Sequence, residues 1–382
     1  MKILITGGAG FIGSEIITQI YQEGSHDILV LDNLSKQIHG INPEESYLYS
    51  RIKDKCTFIK GDIREFEIVR QALAGVELVI HLAAETGTGQ SMYCINSYNE
   101  INIMGTSNIF QAILLDKIPV KKVLLASSRS VYGEGRYCCN IHGDVFPESR
   151  KAENMSKGDF SLHCPYCNEA LNVLPTREDS VIFPVSLYAY TKYAQEGMVK
   201  TLCNAMKIKY TIFRLQNVYG VGQSLKNPYT GILSIFSSLF LENKGINIFE
   251  DGNESRDFVH VKDIASAMIR AIENEKSDNM VINIGSGQIR TVYEIAKMLK
   301  KLYSSNSELV ITGDFRIGDI AHNLADISLA KKTLGFEPQI SFEEGLKEFT
   351  EWVKKQKKVN SGYEKSLNEL ELNGMLFRKR NK

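Results

Sequence analysis

The 382-residue chain reads as an α/β protein in which a doubly wound parallel sheet is joined to a smaller C-terminal α/β lobe. Three observations carry that reading. Short β-branched runs alternate with amphipathic stretches through the first half, a glycine-rich turn follows the first run, and an acidic residue closes the second. Hydrophobic residues at 43% and charged residues at 24% support one large core rather than a disordered or membrane-embedded chain.

"KILITGG" supplies the first strand and the stretch from Phe11 to Glu23 the first helix. "DILVLD" follows as a strand, then "CTFIKGD" with a helical stretch from Glu65 to Ala74, "ELVIHLAA" with one from Ile95 to Leu115, and "KKVLLASS". Each run is short, apolar and bounded by turn residues, as strands covered on both faces should be. The alternation then breaks at a charged, cysteine-rich segment. It resumes with a helix beginning near Tyr188 that leads into "KYTIFRLQNVYG", and the remainder mixes helices with "VINIGSG" and "ELVITGD".

Lysine plus arginine equals aspartate plus glutamate at 45 each, so no overall positive field points to nucleic acid or a membrane surface. No apolar run approaches the ~20 residues that span a bilayer, and "MKILITGGAGFIG" lacks a leader pattern. A cytoplasmic location is expected. Seven cysteines, an odd count with four in one cluster, suggest thiols or thiolates rather than bridges. Cys56, Cys94 and Cys203 read as ordinary core or boundary residues.

"TGGAGFIG" places Gly7, Gly10 and Gly13 after the first strand and at the start of a helix, with Phe11 and Ile12 between them. Such glycines permit a tight turn and let backbone amides approach a pyrophosphate at the positive helix N-terminus. Asp32 closes the second strand in "LVLDN", where a carboxylate accepts bonds from ribose hydroxyls and repels a 2′-phosphate. The expectation is a Rossmann domain that binds NAD rather than NADP.

Tyr188 and Lys192 in "YAYTK" share one helix face, where a nearby ammonium favours phenolate over phenol. "SSRSVYG" puts Ser127, Ser128 and Ser130 at a strand's carboxyl end, where open sheets bind ligands. With "GDI" at Gly61 to Ile63, "HLAA" at His81 to Ala84, "NIMGT" at Asn102 to Thr106, "RLQNVYG" and "SRDFVHVKD", these motifs resemble, in order and over roughly residues 1 to 352, the extended short-chain dehydrogenase/reductase family of nucleotide-sugar epimerases and dehydratases.

The resemblance implies that Ser128, Tyr188 and Lys192 are catalytic. It places Asp62 and Ile63 beside adenine and Leu82, Ala83, Ala84 and Asn102 along the cofactor. For substrate it implies Gln90, Ser91, Asn217 and Asn227, with Arg256 and Arg316 clamping a diphosphate and Asn323 setting the sugar pocket's size. The related 4,6-dehydratases carry an Asp-Glu pair straight after the catalytic hydroxyl. Arg129 and Ser130 stand there instead, which favours 4-epimerisation over loss of water.

Ser128 and Tyr188 lie 60 positions apart, wider than the family's usual spacing, and the excess is the cysteine-rich segment. Cys139 and His142 form one C-x-x-H pair, Cys164 and Cys167 one C-x-x-C pair, together a complete set for a structural zinc in a zinc-ribbon-like loop. Cys138 is an alternative to Cys139, and His163 to His142. This insertion, with "AAETGTGQSMY" and "GQSLKNPYTGI", is similar to the dTDP-L-rhamnose 4-epimerases within the family, so the expected substrate is a dTDP-linked or, as a rival, UDP-linked sugar. A homodimer is expected by analogy.

The organisation expected is a nucleotide-binding domain at 1–217 with the insertion at 136–178. A mainly substrate-binding lobe follows at 218–352, interleaved with the first near 256–275. A polar tail occupies 353–382, lysine-rich at "KKQKKVNSGYEKS", where "LNELELNGMLF" suits either a docked helix or a frayed end.

Overall fold

The computed structural model describes residues 1–24, 26–225, 227, 229, 231–356 and 362–379. Seven strands build the main sheet: β1 (Lys2–Thr6), β2 (Asp27–Asp32), β3 (Thr57–Lys60), β4 (Leu78–His81), β5 (Lys122–Ser128), β6 (Lys209–Leu215) and β7 (Met280–Ile284). Their spatial order is β7-β6-β5-β4-β1-β2-β3, and every pairing is parallel. Because β1 pairs with both β2 and β4, the winding reverses there, and the crevice at the carboxyl ends of β1 and β4 is the place for a ligand.

The longer helices are α1 (Phe11–Glu23), α2 (Gly105–Asp116), α3 (Leu187–Met206), α4 (Ile232–Leu241), α5 (Val261–Arg270), α6 (Val292–Tyr303), α7 (Phe342–Lys354) and α8 (Tyr363–Leu372). Alternate residues of each main strand face opposite layers. Ile3, Ile5, Val30 and Ile80 pack with Ile16, Ile17 and Ile20 of α1 and Ile264 and Met268 of α5. Leu4, Leu29, Val79 and Leu125 pack with Ile109 and Phe110 of α2 and Val199 of α3. Period-two strands buried on both sides thus need an apolar stripe from helices above and below.

Local signals set the helix ends. α1 stops at Gly24, whose φ of +67° is the left-handed conformation that glycine adopts at little cost. α3 starts where the Ser186 side chain accepts from Ala189 N, while α6 and α7 begin with capping boxes, Thr291 with Glu294 and Ser341 with Glu344. The smaller lobe has its own core, in which Phe236 and Phe240 of α4 meet Ile295 and Leu299 of α6 and Leu346 and Phe349 of α7.

Two boundaries differ from those expected. The main sheet takes its last strand from 280–284, beyond the interleaved stretch near 256–275, because Ile282 and Ile284 complete one of its apolar layers. The polar tail expected at 353–382 takes the docked-helix alternative, and its first residues belong to α7. Val353 and Lys354 finish α7, α8 docks through Leu367 and Leu370, and Leu376–Phe377 pairs antiparallel with Phe315–Arg316. Of the lysine-rich run, 357–361 lie outside the described residues, as do Lys226, Pro228 and Thr230 of the 222–232 loop. The insertion folds as a small antiparallel sheet with Tyr137–Cys139 at its centre, flanked by Gly143–Val145 and Asn172–Val173.

Candidate active site

At the crevice above β1 the chain turns sharply from Gly7 to Gly13. Gly7 has φ of +69°, and a Cβ there would lie 2.7 Å from Ala83 N; one at Gly13 would lie 2.6 Å from Gly8 Cα and 2.7 Å from Gly7 O. Both obstacles are backbone, so neither can swing aside. No side chain caps α1, and Phe11, Ile12 and Gly13 of its first turn line a cavity of about 410 Å³ with Gly7 and Gly10. Uncapped helix amides facing a cavity suit a pyrophosphate.

Asp32 lines the same cavity, its carboxylate accepting from Leu34 N at 2.8 Å and Ala9 N at 3.0 Å. Burial raises its pKa against those two bonds. Asp62 is different: burial opposes its ionisation, but bonds from Arg64 and Asn33 outweigh that and hold the carboxyl at about 2. Ile63, Leu82, Ala83 and Ala84 complete this wall. The donor set and the close glycines therefore fit an adenine dinucleotide.

Asn102 does not line the cavity. It lies in a π-helical turn at Asn99–Met104, where its Oδ1 accepts from Glu85 N at 2.8 Å and its Nδ2 donates to Glu85 O at 3.1 Å and Thr191 Oγ1 at 2.9 Å. It thereby ties the loop after β4 to α3. A sequence motif carries no sign of whether an amide faces a ligand or the backbone behind it.

Ser128, Tyr188 and Lys192 converge on the cavity from the end of β5 and the first turns of α3. Ser130 donates to Ser128 Oγ through both its N–H, at 3.2 Å, and its hydroxyl, at 3.0 Å, while Ser127 turns away to Glu196 at 2.6 Å. Burial raises the Tyr188 pKa; a hydrogen bond with Ser128 and the charge of Arg129 oppose it.

Lys192 lines the cavity with its ammonium anchored on β5. Its Nζ donates to Ala126 O at 2.9 Å, and burial pushes it down to about 7 against the attraction of Glu196. The nearby cation acting on Tyr188 is Arg129, met in the sequence only as the residue replacing an acid. Burial, with the charge of Arg256 acting the same way, lowers Arg129 to about 10 against the attraction of Glu134 and Asp319.

The substrate end is tied up in protein contacts. Asn217 and Asn227 line the cavity, and Asn323 Nδ2 donates to Asn217 Oδ1 at 3.1 Å. Arg256 donates to the carbonyls of Ser255, Ile320 and Ala321, each at 2.9 Å. Arg316 pairs with Asp319 at 2.6 Å, close over the Phe249 ring. Gln90 bonds Gln37 at 3.1 Å and Ser91 donates to Thr88 O at 2.6 Å. None of these last four lines the cavity itself.

Sequence reading missed the charges behind them. Arg150, from the insertion, donates to both oxygens of Glu250 and to Asp319 O, with Glu134 3.7 Å from its Nε. Burial pushes Glu134 up to about 7, with Arg150 opposing. In the sequence, Arg150 sits in "PESRKAE", which looks like any solvated charged run.

Cys139, His142, Cys164 and Cys167 bring one ligand atom each to within 4.8 Å of all the others. His142 Nδ1 is 3.5 Å from both Cys139 Sγ and Cys164 Sγ, and Cys139 Sγ is 3.6 Å from Cys167 Sγ. A tetrahedral zinc with its usual bond lengths needs edges of about 3.5 Å for nitrogen to sulfur and about 3.8 Å between sulfurs. The tetrad fits. Cys138 Sγ instead approaches Cys139 O at 3.6 Å, and His163 bonds Asp159 at 2.9 Å, so neither alternative joins it.

The NAD dependent epimerase/dehydratase family model matches residues 3–155 and 161–285. The chain belongs to that family. Among its relatives, a dTDP-L-rhamnose 4-epimerase of Burkholderia thailandensis is 37% identical over 92% of this chain and 94% of its own length. The UDP-glucose 4-epimerase of Thermotoga maritima, solved with UDP-glucose, superposes with a TM-score of 0.75 at 29% identity, covering 93% of this chain and 99% of that one. UDP-glucuronic acid 4-epimerase of Bacillus cereus, solved with UDP-glucuronic acid and NAD, gives 0.74 at 25% identity with the same coverage. The break in the family match falls within the insertion. Among the described residues no helix is long and apolar enough to cross a membrane.

Proposed function

We propose that the chain is an NAD-dependent nucleotide-sugar 4-epimerase that interconverts dTDP-L-rhamnose and dTDP-6-deoxy-L-talose. The observation that carries this reading is one cavity holding the glycine turn, Asp32, Ser128, Tyr188 and Lys192, with Arg129 and Ser130 where a dehydratase carries its acids. The Burkholderia relative supports the dTDP-rhamnose choice.

Tyr188 takes the proton of the sugar's C4 hydroxyl and Ser128 bridges the two oxygens by hydrogen bonding. NAD, when bound to the Gly7–Gly13 turn and Asp32, supplies reversible hydride acceptance and a positive ring charge that favours phenolate. The resulting planar 4-keto sugar turns within the pocket while the arginines keep the diphosphate. With the hydride that bound NAD would give back to the opposite face of C4, Tyr188 returns its proton to the oxygen, leaving C4 inverted and no net redox change.

A UDP-hexose 4-epimerase is the second reading, favoured by likeness to the Thermotoga maritima enzyme and by Asn323, small enough to leave room for bulkier hexoses. A dehydratase or reductase would instead release a 4-keto-6-deoxy sugar or consume NADH, and a non-catalytic NAD-binding module would turn over nothing. Incubation of the purified protein with dTDP-L-rhamnose, and separately with UDP-glucose, without added NAD tests all four by NMR of the anomeric protons. Epimerisation of the first is expected; conversion of UDP-glucose alone moves the substrate, and no conversion of either, even with NAD added, retires the epimerase.

The same reading includes a structural zinc on Cys139, His142, Cys164 and Cys167, with no position left open for water. It also includes a homodimer and a cytoplasmic location. Elemental analysis finding about one zinc per chain, lost in Cys164→Ser together with the folded insertion, is expected; a metal-free protein with an intact insertion overturns the assignment.

A further inference from the structure

The C-terminal segment reaches the site from outside the nucleotide-binding domain. Tyr93 Oη donates to Tyr229 Oη at 2.7 Å, Tyr229 Oη donates to the Glu369 carboxylate, and Glu369 lies 3.3 Å from Tyr93 Oη. One carboxylate on α8 thus joins phenols from two separate loops. Tyr229 sits between Asn227 and Gly231, both of which line the cavity.

The contacts run on to the reacting group. A Cβ at Gly87 would lie 3.3 Å from Tyr229 Cβ and 3.4 Å from Tyr98 Oη, and Tyr98 Oη donates to Thr86 O at 2.7 Å. The Tyr98 ring meets the Tyr188 ring edge-on at 6.4 Å. Leu370 of α8 closes on the neighbouring turn, 3.2 Å from where a Gly89 Cβ would stand.

Beyond α8, the chain clasps the strand that carries Arg316. Leu376 is the register partner of Arg316, Ile317 N donates to Met375 O at 3.0 Å, and Phe377 stacks on Phe315 with centroids 5.1 Å apart. Lys379 N donates to Asp314 Oδ1 at 2.8 Å. The segment 362–379 therefore touches three elements bordering the substrate end: the 86–93 loop, the 222–231 loop and the Arg316 strand.

We infer that this segment is a strap belonging to the nucleotide-sugar site, with Glu369 as a positioning residue that holds the two loops together through Tyr93 and Tyr229. The inference rests on the nucleotide-sugar reading. Its argument is connectivity: loops of this kind open on their own unless something fixes their ends, and a charge-assisted bond from Tyr229 to Glu369, with Tyr93 donating to Tyr229, ties both to one helix. The cofactor turn shares none of these contacts. Loss of Glu369 should thus loosen substrate binding and leave NAD in place.

The test compares wild type with Glu369→Ala, Tyr93→Phe and Leu372→Ser, the last on the exposed side of α8, where Leu372 is 87% accessible. Hydrogen exchange over 86–93 and 222–231 and calorimetric titration with dTDP and UDP are measured on NAD-loaded protein. Expected are faster exchange in both loops and a roughly ten-fold weaker nucleotide in Glu369→Ala, a smaller change of the same kind in Tyr93→Phe, and none in Leu372→Ser. Unaltered exchange or affinity in the first two variants overturns the strap, as does NAD loss, which would mean a general defect. Failure of wild type to bind either nucleotide overturns the nucleotide-sugar reading instead, and the strap's place in that site with it.

Discussion

The two ends of the cleft are built by different means. At the cofactor end, the fit is made by backbone: Gly7 and Gly13 press against main-chain atoms, and the first turn of α1 presents amides that no side chain caps. At the end proposed for the substrate, long side chains from distant segments meet behind the cavity lining, with Arg150, Arg256 and Arg316 set among Glu134, Glu250, Asp319 and backbone carbonyls. A backbone site is preformed and tolerates little change. One assembled from charged side chains trades partners, because each guanidinium that leaves a carbonyl or carboxylate must find another.

The sharpest break in that contrast comes where the two ends meet. Tyr188→Phe removes the base proposed to take the C4 hydroxyl proton and leaves the cofactor turn untouched. A fall in kcat of about 10³-fold with NAD content unchanged is expected, read by initial rates and by absorbance of released cofactor. Appreciable epimerisation in this variant would shift the base to another group.

Gly13→Ala tests the backbone end directly. Its methyl would stand 2.6 Å from Gly8 Cα, so the turn must open and NAD retention should fall about 10²-fold. Gly10→Ala is the control. There the nearest atom is Gly7 O at 3.1 Å, and a slight shift accommodates it, so binding should drop far less. Equal losses would mean that the glycines matter for the turn's flexibility rather than for close approach.

The same division explains what could be read from the sequence. Gly7, Gly13 and Asp32 follow strands that periodicity marks, and their roles depend on neighbours a few residues away, so local pattern suffices. The i, i+4 spacing puts Tyr188 and Lys192 on one helix, yet Lys192 bonds Ala126 O on β5, a partner 66 positions back that no local rule supplies. Asn102 failed for the same reason, facing Glu85 and Thr191. The convergence of Cys139, His142, Cys164 and Cys167 is legible because two short ligand spacings announce themselves, whereas Arg150 and Glu369 look like ordinary surface charge until the fold brings their partners.

Arg256 and Arg316 separate support from recognition at the substrate end. Arg256→Ala strands three carbonyls that the guanidinium satisfied, so it should destabilise the protein by about 2 kcal/mol as well as weaken substrate binding. Arg316 is 40% exposed at its side chain and holds an adjacent carboxylate, so Arg316→Ala should raise KM with a stability change under about 1 kcal/mol. Thermal melts beside steady-state kinetics resolve the two; matching losses of stability would erase the distinction.

The smallest expected effect is the most specific. Arg129 lowers the pKa of Tyr188 while burial raises it, so Arg129→Gln should leave the phenol less ready to ionise. The reaction needs Tyr188 as phenolate at the start, so a higher pKa moves the acid limb of kcat/KM toward higher pH. A displacement of about one unit is expected from removing one neighbouring charge, giving roughly ten-fold lower activity below the limb and little change above it. Arg129→Lys keeps the charge and should keep most of the limb's position. A purely steric role would lower activity at every pH in both variants without moving the limb, because packing defects do not titrate. That outcome would return the burden of activating Tyr188 to Lys192 and the cofactor ring, and would make the replacement of an acid by Arg129 a matter of excluding dehydration alone.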